Sequence, residues 1–292
     1  MGALVQALLI GTVLLTAILL LATARYMAVV RSKRSAMGKA WKAAGQGPVP
    51  DGVQLPGTYF LYVLGSGGHT GELCEMIKQQ FRPNPHCHRR YIVTSGDHHS
   101  VNAVERLEGL ISRTFPVDEN GVAPGGSWDI VHVVRARRVH QPLYTTWLSA
   151  LQSALSIVQA LVRPPKQRQP TNNSKSAKNA KNANDANDAF TYPNLIVTNG
   201  PGTGFIVCLV AVVLKMLYVV PTNRCSVLFI ETWAHVSTLS LTGKLFHYSR
   251  LADLFVVQHE LLAANTGHRF IGDVTKYGNL LGIRKSLGRK KA

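Results

Sequence analysis

Hydrophobic and polar positions along the chain fall into three regimes. Residues Ala3 to Ala24 are uncharged and almost wholly apolar, and at about 1.5 Å per residue a helix of that length just matches a hydrocarbon core of about 30 Å. From Thr58 onward, short β-rich apolar runs alternate with longer stretches of helical periodicity, the pattern of a mostly parallel sheet with helices on its faces. Strands are predicted at Tyr59–Leu64, Arg90–Thr94, Asp129–Val134, Leu195–Thr198, Val227–Ile230 and Leu254–Val257, and helices at Gly71–Gln80, Ser100–Leu110, Pro142–Val162, Gly204–Tyr218 and Leu239–Phe246. Between the third and fourth strands, residues 164–189 contain no large apolar side chain until the segment ends; such a stretch buries too little to offset its ordering entropy and is predicted to be a disordered insertion.

The expected organisation is a transmembrane anchor over residues 1–24, a basic cytosolic tether over 25–57, one Rossmann-like α/β domain over 58–283, and a basic tail over 284–292. A cleaved signal peptide is the rival reading of the first segment. It fits less well, because the apolar run is long, no basic region precedes it, and the positive charges follow it. Arg25, Arg31, Lys33, Arg34, Lys39 and Lys42 precede the first acidic residue, Asp51, which holds that flank in the cytosol and puts the N-terminus on the lumenal side. The apolar run Phe205–Leu214 is too short to cross a bilayer before Lys215 and reads as a core helix. The stripe Trp147, Leu148, Leu151, Leu155, Val158 and Leu161 reads as core, with an in-plane membrane contact as the alternative.

Charge sharpens this picture. The 292-residue chain carries +17 net charge, yet only 16% of its residues are charged and 46% are hydrophobic. A solvated nucleic-acid-binding protein is thereby disfavoured, and a membrane surface with anionic head groups fits both properties together. Four cysteines without C-x-x-C spacing exclude a disulfide-stapled secreted module and read as reduced thiols. His86, Cys87 and His88, and likewise His98 and His99, lie close in sequence but lack the regular spacing of a zinc site, and no Asp-x-Asp motif occurs, so neither metal nor other cofactor is expected.

Candidate chemistry gathers in the turns after the strands. Gly65-Ser66-Gly67-Gly68-His69-Thr70-Gly71-Glu72 joins the first strand to a helix, where glycines admit a ligand to the backbone and the helix N-terminus favours an anion such as a diphosphate. It is neither a Walker A loop nor a dinucleotide fingerprint in register. His69 is either a local hydrogen-bonding residue or a group that accepts a proton or binds phosphate oxygen. Asn199-Gly200-Pro201-Gly202-Thr203-Gly204 repeats the strand-to-helix arrangement. Asp97, after the second strand, either caps the next helix or takes part in binding or catalysis. Glu231, after the fifth, is either a buried capping carboxylate or a ligand for sugar hydroxyls.

The ordered set GSGGHTGE (65–72), SGDHHS (95–100), RARRVHQ (135–141), NGPGTG (199–204), ETWAHVSTLSLTGK (231–244) and LADLFVVQ (251–258) resembles the membrane-anchoring subunits of the UDP-N-acetylglucosamine transferase of the dolichol-linked oligosaccharide pathway, which serves asparagine-linked glycosylation. The resemblance implies the acceptor-side half of a GT-B glycosyltransferase, inactive alone, that binds GlcNAc-diphosphodolichol at the endoplasmic reticulum membrane. A soluble partner subunit brings UDP-GlcNAc. It implies His69 as base or diphosphate ligand with Asp97 as the competing base, Ser66, Gly67, Gly68 and Thr70 on the diphosphate, Asn199, Gly202 and Thr203 around the acceptor, and Glu231 on the acceptor sugar or the subunit seam. Leu280, Leu281 and Ile283 would dock the partner. The chain departs from the family at His235, usually Arg, and Thr232, usually Ser, and its tail is longer and more basic. A recruitment scaffold without catalytic residues is the alternative. A self-sufficient enzyme is disfavoured, because about 235 residues after the tether, including the insertion, leave no room for a second nucleotide-binding domain.

Overall fold

The computed structural model describes residues 2–44, 57–119, 121–135, 146–165, 190–200 and 202–272. Outside these lie residues 45–56 of the expected tether, 136–141 of the RARRVHQ element, the start of the predicted helix at 142–145, residues 166–189 of the expected insertion, the end of the expected domain over 273–283 with Leu280, Leu281 and Ile283, and the tail.

The described elements run α1 (Gly2–Ala44), β1 (Thr58–Val63), α2 (Gly68–Gln80), β2 (Cys87–Thr94), α3 (His98–Thr114), β3 (Ser127–Val133), α4 (Thr146–Val162), β4 (Leu195–Thr198), α5 (Gly202–Met216), β5 (Ser226–Ile230), α6 (Leu241–Ser249), β6 (Leu254–Val257), α7 (Glu260–Thr266) and β7 (Arg269–Phe270). Seven strands form one wholly parallel sheet in the order β3-β2-β1-β4-β5-β6-β7. The chain starts in the middle, winds outward to β3, then returns through α4 to the other side of β1. This doubly wound order has its reversal between β1 and β4, where open α/β sheets bind ligands.

Parallel sheets bury both faces, and the side chains divide accordingly. Leu61, Val63, Ile92, Ile196, Val227, Phe229 and Val257 pack with α4, α5 and α6 into one core, while Tyr91, Val93, Val197, Ile230 and Val256 pack with α2 and α3 into another. Phe246 of α6 stacks on Phe229 at 4.3 Å between ring centroids and meets Phe205 edge-on at 5.3 Å, so an aromatic plug ties α5 and α6 to the sheet.

The strand β2 begins three residues earlier than predicted, at Cys87, and takes in His88 and Arg89, which are buried along with Arg90. Arg89 makes a two-pronged ion pair with Glu108 of α3, both contacts at 2.7 Å, and the Tyr91 hydroxyl donates to the same carboxylate. On the other side Arg90 pairs with Asp129 at 2.8 Å, and the His88 ring bridges Asp129 and Ser127. Each of these buried charges is therefore paired, as burial favours. The pairs anchor the base of the sheet, at the opposite end from the strand-to-helix turns.

The helix α1 is longer than the predicted anchor and continues without interruption into the expected tether as far as Ala44. Its apolar window is Leu9–Val30, 22 residues long, enough by length and composition to span a bilayer. At its end Val29 is fully buried, and the Arg25 guanidinium donates to the Lys215 carbonyl at 2.8 Å while lying 3.6 Å from the Tyr218 ring centre. Tyr26 reaches the Ser249 carbonyl at 3.5 Å.

Candidate functional site

The two glycine-rich turns meet at the switch point. A Cβ on Gly200 would lie 3.2 Å from both Cα and N of Gly65, tighter than ordinary contact, so a glycine here lets the β4 turn approach the β1 turn without displacing it. Gly67, which precedes α2, has φ +69° and ψ −128°, a backbone conformation essentially reserved for glycine. Around Gly67, Gly68, Gly71 and Gly202 there is open space where side chains would stand, so the N-termini of α2 and α5 are uncovered at the crevice. Ser66, Gly67, Gly68 and Gly202 are exposed there, His69 is half-buried, and Thr70, Asn199 and Thr203 are buried behind them.

Two side-chain networks fix this arrangement. In the first, Thr70 hydrogen-bonds the Gly65 carbonyl and lies 2.7 Å from the Ser100 hydroxyl, which in turn lies 2.7 Å from Asp97 Oδ2. Asp97 Oδ1 accepts from the Ser100 amide at 3.1 Å, capping α3. The turns after β1 and β2 are thereby joined through residues 70, 97 and 100.

In the second, Glu72 gathers the turns after β4, β5 and β6. Its carboxylate accepts from Asn199 Nδ2 at 3.2 Å, Thr232 Oγ1 at 3.1 Å, the Trp233 amide at 2.9 Å, and Gln258 Nε2. Asn199 Nδ2 also donates to the His69 carbonyl at 2.9 Å, and Gln258 Nε2 to the Glu231 carbonyl at 2.9 Å. A carboxylate that collects four donors holds four segments in fixed relation. The hub leaves three polar atoms on these segments buried without a protein partner among the described residues: His69 Nδ1, Asn199 Oδ1 and Gln258 Oε1. Such atoms are rare in native interiors and concentrate at sites that receive a ligand or water.

Glu231 stands behind this wall and is buried. Its oxygens accept from the Thr232 amide at 3.1 Å and the Ser240 amide at 3.3 Å, and it lies against Gly243 so closely that any Cβ there would collide with it. Burial raises its pKa above the usual carboxylate range, partly offset by the hydrogen bonds to Ser240 and the Thr232 amide. These contacts organise the 231–240 segment that carries Trp233 and His235.

The sequence thus identified the two glycine turns, His69 and Asp97, which the fold gathers at one edge of the sheet, and Glu231, which stands at the same edge but is turned into the protein. It did not single out Glu72, Ser100 or Gln258. All three lie inside the quoted motifs, but their contacts depend on partners brought together only by the sheet order. Among the described residues no three His, Cys, Asp or Glu side chains form a group that could hold a metal ion.

A family model described as "Oligosaccharide biosynthesis protein Alg14 like" matches residues 60–274, which include every element of this site. The chain belongs to that family. Among Alg14-like relatives, the UDP-N-acetylglucosamine transferase subunit ALG14 of Cryptococcus neoformans (strain B-3501A) is 29% identical over 199 residues, covering 67% of this chain and 71% of that one. The Aspergillus fumigatus subunit is 29% identical over 239 residues, covering 70% of this chain and 97% of its own. The Homo sapiens subunit is 27% identical over 202 residues, covering 68% and 74%. Among solved structures, that of Acinetobacter baumannii MurG matches 74% of this chain and 45% of its own, at 14% identity and a TM-score of 0.37.

Proposed function

We propose that this chain is the membrane-anchoring, acceptor-binding half of a two-chain N-acetylglucosaminyltransferase at the cytosolic face of the endoplasmic reticulum. It binds GlcNAc-diphosphodolichol and recruits a soluble subunit that holds UDP-GlcNAc, and the pair adds the second GlcNAc in β1,4 linkage. The observation that carries this reading is the close contact of the two glycine turns at the switch point, which leaves two helix N-termini uncovered side by side. Backbone N–H groups and helix dipoles there suit a diphosphate. The Alg14-like family and the names of its relatives supply the sugar and the subunit character. The membrane-length window of α1, followed by basic residues, supports a single-pass anchor with a lumenal N-terminus.

The chemistry follows from the chain's own residues. O4 of the acceptor sugar attacks the anomeric carbon of the donor, the new C–O bond forms as the bond to UDP breaks, and the hydroxyl proton must leave. His69 carries the ring nitrogen on the diphosphate-side turn and is the residue for proton acceptance or for a phosphate oxygen. Asp97, whose two oxygens are taken up by Ser100, acts by holding that turn in place. Ser66, Gly67, Gly68 and Thr70 bound the diphosphate, and Asn199, Gly202 and Thr203 bound the acceptor. Glu231 shapes the seam from behind, and Leu280, Leu281 and Ile283 belong to the partner contact.

Equilibrium binding tests the division of labour. The full chain in detergent, without a partner, is expected to bind a short-chain GlcNAc-diphospholipid saturably and to show no saturable binding of UDP-GlcNAc. Tight UDP-GlcNAc binding by this chain alone would reverse the assignment of halves.

A further inference from the structure

Three adjacent helices on one side of the sheet expose apolar side chains in stripes. On α4 these are Leu148, Leu151 and Leu155, on α5 Leu209, Val213 and Leu217 just beyond its end, and on α6 Leu241, Leu245 and Tyr248. The spacings of three and four put each set on one helical face, and α5 packs against both α4 and α6. This is therefore one surface rather than scattered residues, and contiguous exposed apolar patches of this kind mark interaction sites. The faces of these helices toward the sheet are already spent on the core that includes Ile157, Val207 and Phe246.

What covers the surface is indicated by α1. The residues that end its apolar window, Arg25, Tyr26 and Val29, are the same ones that touch the ends of α5 and α6. No linker separates the bilayer-length segment from this layer, so the layer stands at the membrane boundary. Its charge agrees. Neither α4, α5 nor α6 contains Asp or Glu, the single charge of α5, Lys215, is buried and donates to the Cys225 carbonyl, and the exposed Arg163, Lys244 and Arg250 sit at the edges. On the opposite face of the sheet, the solvent-facing sides of α2 and α3 are charged with both signs, carrying Glu75, Glu105, Lys78, Arg106 and Arg113. An apolar face with basic edges is the composition that settles into an interface containing anionic lipid.

We propose that the outer face of the α4–α5–α6 layer is a lipid-contacting surface, resting in the interfacial region of the bilayer that α1 spans. The inference rests on that reading of α1. It assigns Leu151, Val213 and Leu245, and the apolar residues flanking them, to acyl-chain or glycerol-level contact, with the edge cations meeting lipid phosphates. A lipid-linked acceptor would then reach the crevice along a domain already seated in its membrane.

The test uses the full chain in vesicles of phosphatidylcholine and phosphatidylserine doped with a photoactivatable phospholipid, with cross-linked peptides mapped by mass spectrometry. Adducts are expected on α1 and on α4–α6, and not on α2 or α3. The triple variant Leu151→Glu, Val213→Glu, Leu245→Glu, which alters only exposed positions, is expected to lose the α4–α6 adducts and keep those of α1. Adducts confined to α1 overturn the lipid-contacting surface while leaving the anchor intact. So does loss of α4–α6 labelling when the soluble partner is added, which would make this a protein interface. An absence of adducts on α1 itself overturns the anchor, and this inference with it.

Discussion

Glu72 and Trp233 lie 161 positions apart, yet the Glu72 carboxylate accepts the Trp233 main-chain N–H at 2.9 Å. Through the same carboxylate the turns after β4, β5 and β6 are held to α2. Glu72→Gln keeps the shape but sets an amide NH2 against donors. It is expected to cost about 1–3 kcal/mol of stability, the range for leaving a buried hydrogen-bonding group unsatisfied. Transfer by the assembled pair should fall further than thermal denaturation alone would explain, with a raised KM for the lipid acceptor. Unchanged acceptor KM would show that the hub does not shape the crevice.

His69 and Asp97 separate under substitution. His69→Ala is expected to lower kcat of the assembled pair by about 10²–10⁴-fold, the usual contribution of a positioned acid or base. Asp97→Asn, which still caps α3, should retain most activity, whereas Asp97→Ala removes the cap and costs about 1 kcal/mol of stability. A kcat collapse in Asp97→Asn, with folding intact by circular dichroism, would make Asp97 the base.

The glycine turns give a prediction with two different causes. Gly67→Ala meets no neighbour but forces a strained backbone, at about 1–3 kcal/mol. Gly200→Ala needs no unusual φ, but its Cβ presses on Gly65 at 3.2 Å and must push the turns apart. The expected signature is a larger stability loss for Gly67→Ala and, relative to its stability loss, a larger rise in acceptor KM for Gly200→Ala. Melting temperatures and acceptor titrations on both variants check this.

How much of this was legible beforehand depended on how local each cause is. The strand β1 is an unbroken run of aromatic and branched residues, TYFLYV, so its type was readable, and the glycine turns were readable because backbone conformation demands residue type locally. The first residues of β2 looked like loop, since His88 and Arg89 are tolerable in a buried strand only with Asp129 and Glu108 as partners, 41 and 19 positions away. Glu72 was hidden for the same reason, its partners lying 127 to 186 positions away. The short elements β7 and α7 offered too few residues for a period, and the helix beyond the apolar window of α1 continues through Lys, Ala and Met, good helix formers whose polarity suggested a tether.

The buried base of the sheet should respond to acid. Burial alone would raise the pKa of Asp129, but hydrogen bonds and charge from His88 and Arg90 outweigh it and hold the carboxyl below the ordinary value of 3.8. A lowered folded-state pKa stabilises the fold above the ordinary value, and that contribution disappears as pH falls from there through the folded-state value. Melting temperature should therefore drop across that acidic window in the native chain. Asp129→Asn should already be destabilised at neutral pH, by about 3–5 kcal/mol for a broken buried pair, with a shallower acid response. Parallel pH–melting curves for the two proteins decide it.

The most direct measurement is transfer of radiolabelled GlcNAc from UDP-GlcNAc to a short-chain GlcNAc-diphospholipid, run with this chain alone, the soluble partner alone, and both together. The expected result is a β1,4-linked disaccharide lipid only when both chains are present, and its loss when His69→Ala replaces the native chain in an intact complex. Sustained turnover by either chain alone, or full activity of the complex carrying His69→Ala, would contradict a shared active site built in part from this chain.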